Sequence, residues 1–297
     1  MSSHPASVTL TLRERVLPLG AKVHLMGVLN VTPDSFSDGG RYFAPDLAVE
    51  HALAMVEQGA DLLDIGAESS RPGADPVEER EEIRRLIPVV QEVCRRVSVP
   101  VSVDTRKASV ARLALDAGAA IINDISALRS DPGMGRIVAA SGAAVVLMHM
   151  QGTPKDMQQA PHYQCVVEEV RAFFQERMRA ATDAGIQPDR ILLDPGIGFG
   201  KHLEHNLMLL GRLDDFRTLG RPMVIGVSRK AFIGRVLGRE VGERLMGTAG
   251  AVAAAVLHGA QVVRVHDVAQ MRDVVKMAEA IRDHQRSAVR NIPGREY

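Results

Sequence analysis

Short apolar runs recur along the chain, and each ends on polar residues that a buried strand would not choose. VHLMGVL runs into Asn30, DLLDIG carries Asp64 and ends at Glu68-Ser69, and VPVSV ends at Asp104. AAIIN ends at Asn123-Asp124, AAVVLM runs into His149, RILL ends at Asp194, MVIGV at Ser228, and QVVRVH at Arg264 and His266. The runs predict strands near 24–29, 61–66, 99–103, 119–123, 143–148, 190–194, 222–227 and 260–265. Helices are predicted near 46–58, 78–96, 107–116, 132–140, 162–184, 204–218, 242–257 and 267–286, with a short turn of helix from Ser228. In the longest, Val166, Val170, Phe173, Phe174 and Met178 recur at helical spacing. Repeated strand–loop–helix units read as an α/β fold with a parallel sheet. The eight-fold alternation favours a single closed (β/α)8 TIM barrel over an open doubly wound sheet. The first strand is followed by NVTPDSFSDGG, which does not match the GxGxxG of a dinucleotide loop. In such a barrel the carboxyl ends of the strands share one mouth, where chemistry sits.

Residues 1–22 read as an N-terminal extension, 23–290 as the barrel domain and 291–297 as a C-terminal tail. Three turn-rich loops follow strands, at 30–45, 66–76 and 149–161. Loops of that length in a compact domain are usually lids or binding loops.

Lys+Arg 36 against Asp+Glu 36 leaves no net charge, so neither nucleic acid nor an anionic membrane is expected as a partner. Aromatics at 3% with no Trp argue against a base-stacking surface. Cys94 and Cys165 form no CxxC pair, which excludes a zinc ribbon or redox motif. The first residues lack a basic stretch followed by an apolar core, and the Ala-rich run at 250–257 is too short to span a bilayer. A soluble cytoplasmic protein is expected.

GVLNVTPDSFSDGG, residues 27–40, is the most specific string. It is followed in order by DIGAESSRPGA, SVDT, INDI, LMHMQGTP, LDPGIGFGK, GVSRK and RVHDV. Each string alone is weak, but the ordered set resembles the dihydropteroate synthases of the pterin-binding enzyme family, from about residue 27 to about 268. The resemblance implies a transferase of folate biosynthesis. Such an enzyme condenses 6-hydroxymethyl-7,8-dihydropterin diphosphate with p-aminobenzoate, gives 7,8-dihydropteroate and diphosphate, and is a sulfonamide target. It also implies Mg2+ and a homodimer.

The resemblance assigns roles residue by residue. Asn30 would hold Mg2+ and the substrate diphosphate, with Asp38 closing over the metal from the following loop. Arg264 and His266 are two apart on one strand and face the same way. A guanidinium and an imidazole there make a diphosphate clamp. Asp104, Asn123, Asp194 and Lys230 would bind the pterin, with Met148 and Phe199 as apolar contacts. A carboxylate such as Asp194 can accept two adjacent N–H donors of an amino-pyrimidinone edge. Ser70, Arg71, Pro72 and Phe36 would hold p-aminobenzoate. Asn30, Lys230, Arg264 and His266 are the catalytic set.

Taken alone, Asn30 near Pro33 and Asp194 before Pro195-Gly196 also read as turn residues, and Lys230 as a solvated lysine. GIGFGK is one residue short of a P-loop and lacks its final Ser or Thr. HLEH does not have the zinc spacing, so His202 and His205 read as helix-start residues. Two positions depart from the family pattern: Ser70 where many members carry Thr, and Ala231 where relatives often place a Ser against the p-aminobenzoate carboxylate. Backbone N–H groups of the following helix remain available to that anion. Rival readings are a methyltetrahydrofolate:corrinoid methyltransferase, a non-catalytic pterin-binding paralogue, and a Schiff-base aldolase using Lys230.

Overall fold

The computed structural model describes residues 8–13, 15–32 and 45–290. Eight strands are parallel: β3 (His24–Asn30), β4 (Leu62–Gly66), β5 (Val101–Asp104), β6 (Ile121–Asp124), β7 (Ala144–Met148), β8 (Ile191–Asp194), β9 (Val224–Gly226) and β10 (Val262–Val265). They pair in the order β8-β7-β6-β5-β4-β3-β10-β9. A parallel bridge between Leu193 and Met223 joins the two ends, with the Leu193 N–H donating to the Pro222 carbonyl at 2.9 Å. The sheet is therefore the (β/α)8 barrel that the alternation of apolar runs predicts.

Helices α1 (Pro45–Glu57), α2 (Glu79–Arg96), α3 (Ala108–Asp116), α4 (Met134–Ser141), α5 (Val166–Asp183) and α6 (Leu203–Gly211) follow β3 to β8 in turn. α7 (Ala231–Leu237) and α8 (Leu245–Leu257) follow β9, and α9 (Val268–Arg290) follows β10. Several boundaries differ from the sequence reading; among them, α8 starts at Leu245 rather than 242 and α9 runs to Arg290 rather than 286. The helix predicted from 162 begins at Val166, because the preceding residues tie down the β7 loop. There, Tyr163 donates its hydroxyl to the Gly200 carbonyl at 2.7 Å, and His162 exchanges hydrogen bonds with Gln151. The helix predicted over 204–218 divides into α6 and a 3-10 segment, Leu213–Leu219. The Ser228 turn becomes α7, which starts at Ala231.

The extension forms an antiparallel hairpin of β1 (Thr9–Leu12) and β2 (Arg15–Pro18). Its inward side chains Leu10, Leu12 and Leu19 pack with Met26, Leu62, Ile121, Val146, Leu192, Val224 and Val262. Those barrel residues point to the interior near the amino ends of the strands, so the hairpin closes the barrel floor. Each buried Leu contributes roughly 1.5–3 kcal/mol relative to exposure. A second, larger apolar cluster lies between the strands and the surrounding helices. Strand interiors are buried on both faces, which is why their sequences read as unbroken apolar runs.

Register sets the polar strand ends at one level. Asn30 pairs opposite Gly66, Gly66 opposite Asp104, and Asp104 opposite Asn123. Met148 pairs opposite Asp194, and Arg264 opposite Gly226. No helix among the described residues is long and apolar enough to cross a membrane.

Candidate active site

Asp64 stands at the centre of the mouth. It lies mid-strand in β4, is fully buried, and its Oδ2 accepts from Arg264 Nε at 2.6 Å and from Asn123 Nδ2 at 3.1 Å. Arg264 Nη2 reaches Asp104 Oδ2 at 3.4 Å. One guanidinium thus bridges carboxylates of β4 and β5 from β10. Sequence reasoning selected Arg264, Asp104 and Asn123 as site residues but not Asp64. The signal was present: a carboxylate inside the apolar run LLDIG must find a cation or donors when buried.

Asp194 and Lys230 form the facing part of the mouth. The Asp194 Oδ1 accepts the Gly196 N–H at 2.7 Å, so the residue makes its turn and presents its other oxygen at the strand end. Lys230 donates to the Ile197 carbonyl, and its ammonium lies 4.7 Å from the Phe199 ring centroid, a cation–π contact. A Cβ on Gly226 would lie 3.6 Å from Lys230 Nζ and 3.9 Å from Arg264 Cβ. The missing side chain at that strand position leaves room for both cations. Arg229, the residue before Lys230, has a left-handed φ of 59°. That costs energy for a non-glycine residue and is held by its surroundings. Its N–H donates to Thr248 Oγ1 at 3.1 Å, its Nε to Asp267 at 3.0 Å, and its carbonyl accepts from Arg244 at 3.1 Å. This bracing aims Lys230 inward.

Met148 and Phe199 meet Ile125, Met150 and Met157 in a small apolar cluster beside these charges. His266 lies just past β10, and its Nδ1 is 3.0 Å from Ser228 Oγ. Asn30, half-buried, ends β3 beside Gly66. The β4 loop carries Ser70, which is half-buried, and Arg71 and Pro72, which are exposed. The Arg71 charge is felt at His266, and the Gly73 N–H donates to the Pro154 carbonyl at 3.0 Å, so the β4 and β7 loops meet over the mouth. Glu68 pins the base of that loop through Arg106 at 2.6 Å and Lys107 at 2.5 Å, while Lys107 also bonds Glu82. Phe36 and Asp38 lie outside the described residues. Sequence reading missed the Glu68 network, and also Lys201, a buried lysine that contacts His149 Nδ1 at 2.9 Å and the Phe199 carbonyl at 2.9 Å. His202 and His205 start α6, with the His202 N–H donating to His205 Nδ1 at 3.2 Å.

Electrostatics follow from burial. Burial, then the neighbouring Asp64 charge, push Asp104 up to about 8 against the pull of Arg264. Burial brings Lys230 down to about 8, although Asp194 opposes it, and raises Asp194 against the opposing pull of Lys230. His266 falls to about 4 because it is buried and faces Arg264 and Arg229. Lys201 and His149 are both pushed well toward neutral, chiefly by burial. At neutral pH the mouth holds the Arg264 cation, a mostly charged Lys230, a neutral His266 and a proton on Asp104. The arrangement offers carboxylates and amides to a flat polar heterocycle and cations to an anion beside it.

Comparison with known proteins agrees with this layout. The family described as pterin binding enzyme matches residues 26–266. The dihydropteroate synthase of Escherichia coli (strain K12) is 47% identical over 257 residues, covering 86% of this chain and 91% of its own. The Yersinia pestis dihydropteroate synthase, solved with a sulfonamide drug, superposes with a TM-score of 0.88 at 43% identity, covering 93% of this chain and 99% of that one. The Xanthomonas albilineans dihydropteroate synthase, solved with 4-aminobenzoic acid, gives 0.87 at 47% identity, covering 93% and 98%. The chain belongs to the pterin-binding enzymes. Within that family its place is among the dihydropteroate synthases, which are transferases.

Proposed function

We propose that the mouth condenses 6-hydroxymethyl-7,8-dihydropterin diphosphate with p-aminobenzoate, giving 7,8-dihydropteroate and diphosphate. The observation that carries this reading is the shared mouth. Asp194 and Lys230 on one side, and Asp64, Asp104 and Asn123 tied to Arg264 on the other, open at the same end of the barrel. The free Asp194 oxygen and the Asn123 amide suit the donor edge of the pterin, and the Phe199 and Met148 cluster suits its faces. Lys230, which borders both Phe199 and Asp194, donates to the ring carbonyl. Arg264 takes the diphosphate: its fork turns from Asp104, the longer and weaker contact, toward the substrate oxygens while the Asp64 bond holds its orientation. His266, held neutral at pH 7 by burial, donates an N–H and takes a proton as negative charge accumulates beside it.

Displacement at the pterin hydroxymethyl carbon needs the departing charge neutralised more than it needs a base, because an aryl amine is neutral at pH 7. Closure of the β4 and β7 loops, which meet at the Gly73–Pro154 hydrogen bond, would exclude water that could capture an electron-deficient carbon. Arg71 and Ser70 receive p-aminobenzoate, and the same subsite receives sulfonamides. Among the described residues no group of three His, Cys, Asp or Glu could hold a metal by itself. The side-chain oxygen of Asn30 suits a hard cation, and Asn30, with Asp38 from the following loop, would hold Mg2+. Bound there, Mg2+ would supply charge neutralisation of the diphosphate. Exposed Val236, Leu237, Met246, Met277 and Ile281 on α7, α8 and α9 support a homodimer through those helices. We also place the enzyme in the cytoplasm, and the even charge balance gives no support to a nucleic-acid or anionic-membrane partner.

A coupled assay that follows diphosphate release from the dihydropterin diphosphate tests the reading. Release should require p-aminobenzoate and stop on Mg2+ chelation, with the far-ultraviolet circular dichroism unchanged. No release with both substrates and Mg2+ present would overturn it. Methyl transfer to a corrinoid protein instead would install the rival barrel enzyme.

A further inference from the structure

A large cavity lies at the opposite end of the barrel from the chemistry. It has a volume of about 840 Å³ and opens between the hairpin and the amino ends of β5 to β8. Four-residue strands separate this rim from the mouth by roughly 13 Å, so the two share no residue. The volume falls within the range of small-molecule sites, roughly 300–1,000 Å³.

Its lining joins an apolar wall, including Leu12, Val97 and Val99, to three arginines, Arg13, Arg15 and Arg190. No Asp or Glu of the described residues lines it. Asp189, beside Arg190, is bonded instead to Thr11 Oγ1 at 2.6 Å. Each guanidinium bonds a single neutral carbonyl: Arg13 that of Leu115 at 2.5 Å, Arg15 that of Ser98 at 3.0 Å, and Arg190 that of Gly142. The Gly142 carbonyl also accepts the Arg13 N–H at 3.0 Å, so one turn anchors two of the arginines. Arg190 Nε is buried with no hydrogen-bond partner among the described residues. Carbonyls at helix and turn ends orient a guanidinium but do not neutralise it, and each arginine has five donors. Three positive side chains around one apolar-walled cavity favour the entry of an anion.

We propose that this cavity is a second binding site, for an organic anion carrying two acidic groups on an apolar body. The charges match the arginine forks, and the body matches the Leu12, Val97 and Val99 wall. The site is independent of the reading given to the mouth, because none of its residues takes part there.

The full-length chain titrated with 1,5-naphthalenedisulfonate, a rigid fluorescent dianion, tests this. Saturable one-site binding is expected. It should weaken at least about tenfold in Arg13→Gln/Arg15→Gln, as the loss of charge-assisted bonds implies. It should persist in Arg264→Ala, whose mouth has lost a cation, and turnover of the double variant should match the unaltered chain. Arg15→Gln alone, at an exposed position, should weaken binding several-fold and serves if the double variant does not fold. Displacement by citrate or by tripolyphosphate would support the site and tell carboxylated from phosphorylated ligands. Absence of saturable binding, or binding lost in Arg264→Ala and kept in the arginine double variant, would overturn the proposal.

Discussion

The two ends of the barrel are made by the same eight strands and have opposite chemistry. At the floor the interior positions are Met26, Leu62, Ile121, Val224 and Val262, closed by the leucines of the hairpin. At the mouth, two residues further along β4, β6 and β10, they are Asp64, Asn123 and Arg264. The floor gains free energy by removing apolar surface from water. The mouth spends some of it, because buried charges recover their desolvation only through close partners. Stability and chemistry are therefore separable along the barrel axis, and substitutions at the two ends should fail in different ways.

The largest separation is expected from Asp194→Ala. It should remove one or two charged bonds to the pterin, about 2–5 kcal/mol, and weaken pterin binding roughly 30- to 5,000-fold. Titration calorimetry with a pterin reads this directly, and near-normal affinity would break the assignment. The complementary change, Leu10→Ala on the floor, should cost about 2–5 kcal/mol of stability, visible in the denaturant midpoint. Its kcat/KM, measured where the fold is intact, should not move.

A subtler contrast comes from pH. The folded chain holds a proton on Asp104 up to about 8, against an ordinary carboxylate value of 3.8 when unfolded. Between those values the folded state binds more protons than the unfolded one, so this group's contribution to stability falls as pH rises from 4 to 8. Asp104→Asn should gain stability relative to the unaltered chain at pH 8 compared with pH 5, on the order of a few kcal/mol. Urea midpoints at the two pH values check the sign, and a reversed sign would mean that Arg264 dominates. The smallest effect is expected from Ala231→Ser at the start of α7. One solvent-exposed hydrogen bond from the Ser hydroxyl to the p-aminobenzoate carboxylate should lower its KM roughly two- to ten-fold, leaving the denaturant midpoint unchanged.

The same contrast explains what could be read from the sequence. Strands buried on both faces leave continuous Val, Ile and Leu runs, so all eight were legible, and so were the polar residues that break them at Asp104, Asn123, Asp194 and Arg264. The hairpin was not. Its strands are four residues each, β2 is mostly exposed, and Pro18 obscures its alternation, so only packing under the barrel gives it shape. Asp64 showed as a polar break in its run but not as a site residue, for the opposite reason. It sits inside an apolar run, and its partners Asn123 and Arg264 lie 59 and 200 residues away. Lys201 was set aside with a phosphate-loop pattern that the chain does not complete, because nothing local predicts that a lysine after FG turns inward toward His149. Local pattern gives elements and strand ends; it does not give the cross-barrel pairings.

The bond between Arg264 and Asp64 also bears on how the chain is born. Translation delivers seven barrel strands before β10, and through that interval the nascent polypeptide carries the Asp64 carboxylate without the cation that pairs with it. The final strand thus brings electrical neutrality along with closure, and a ribosome product cut short before it lacks the means to hold its own centre together.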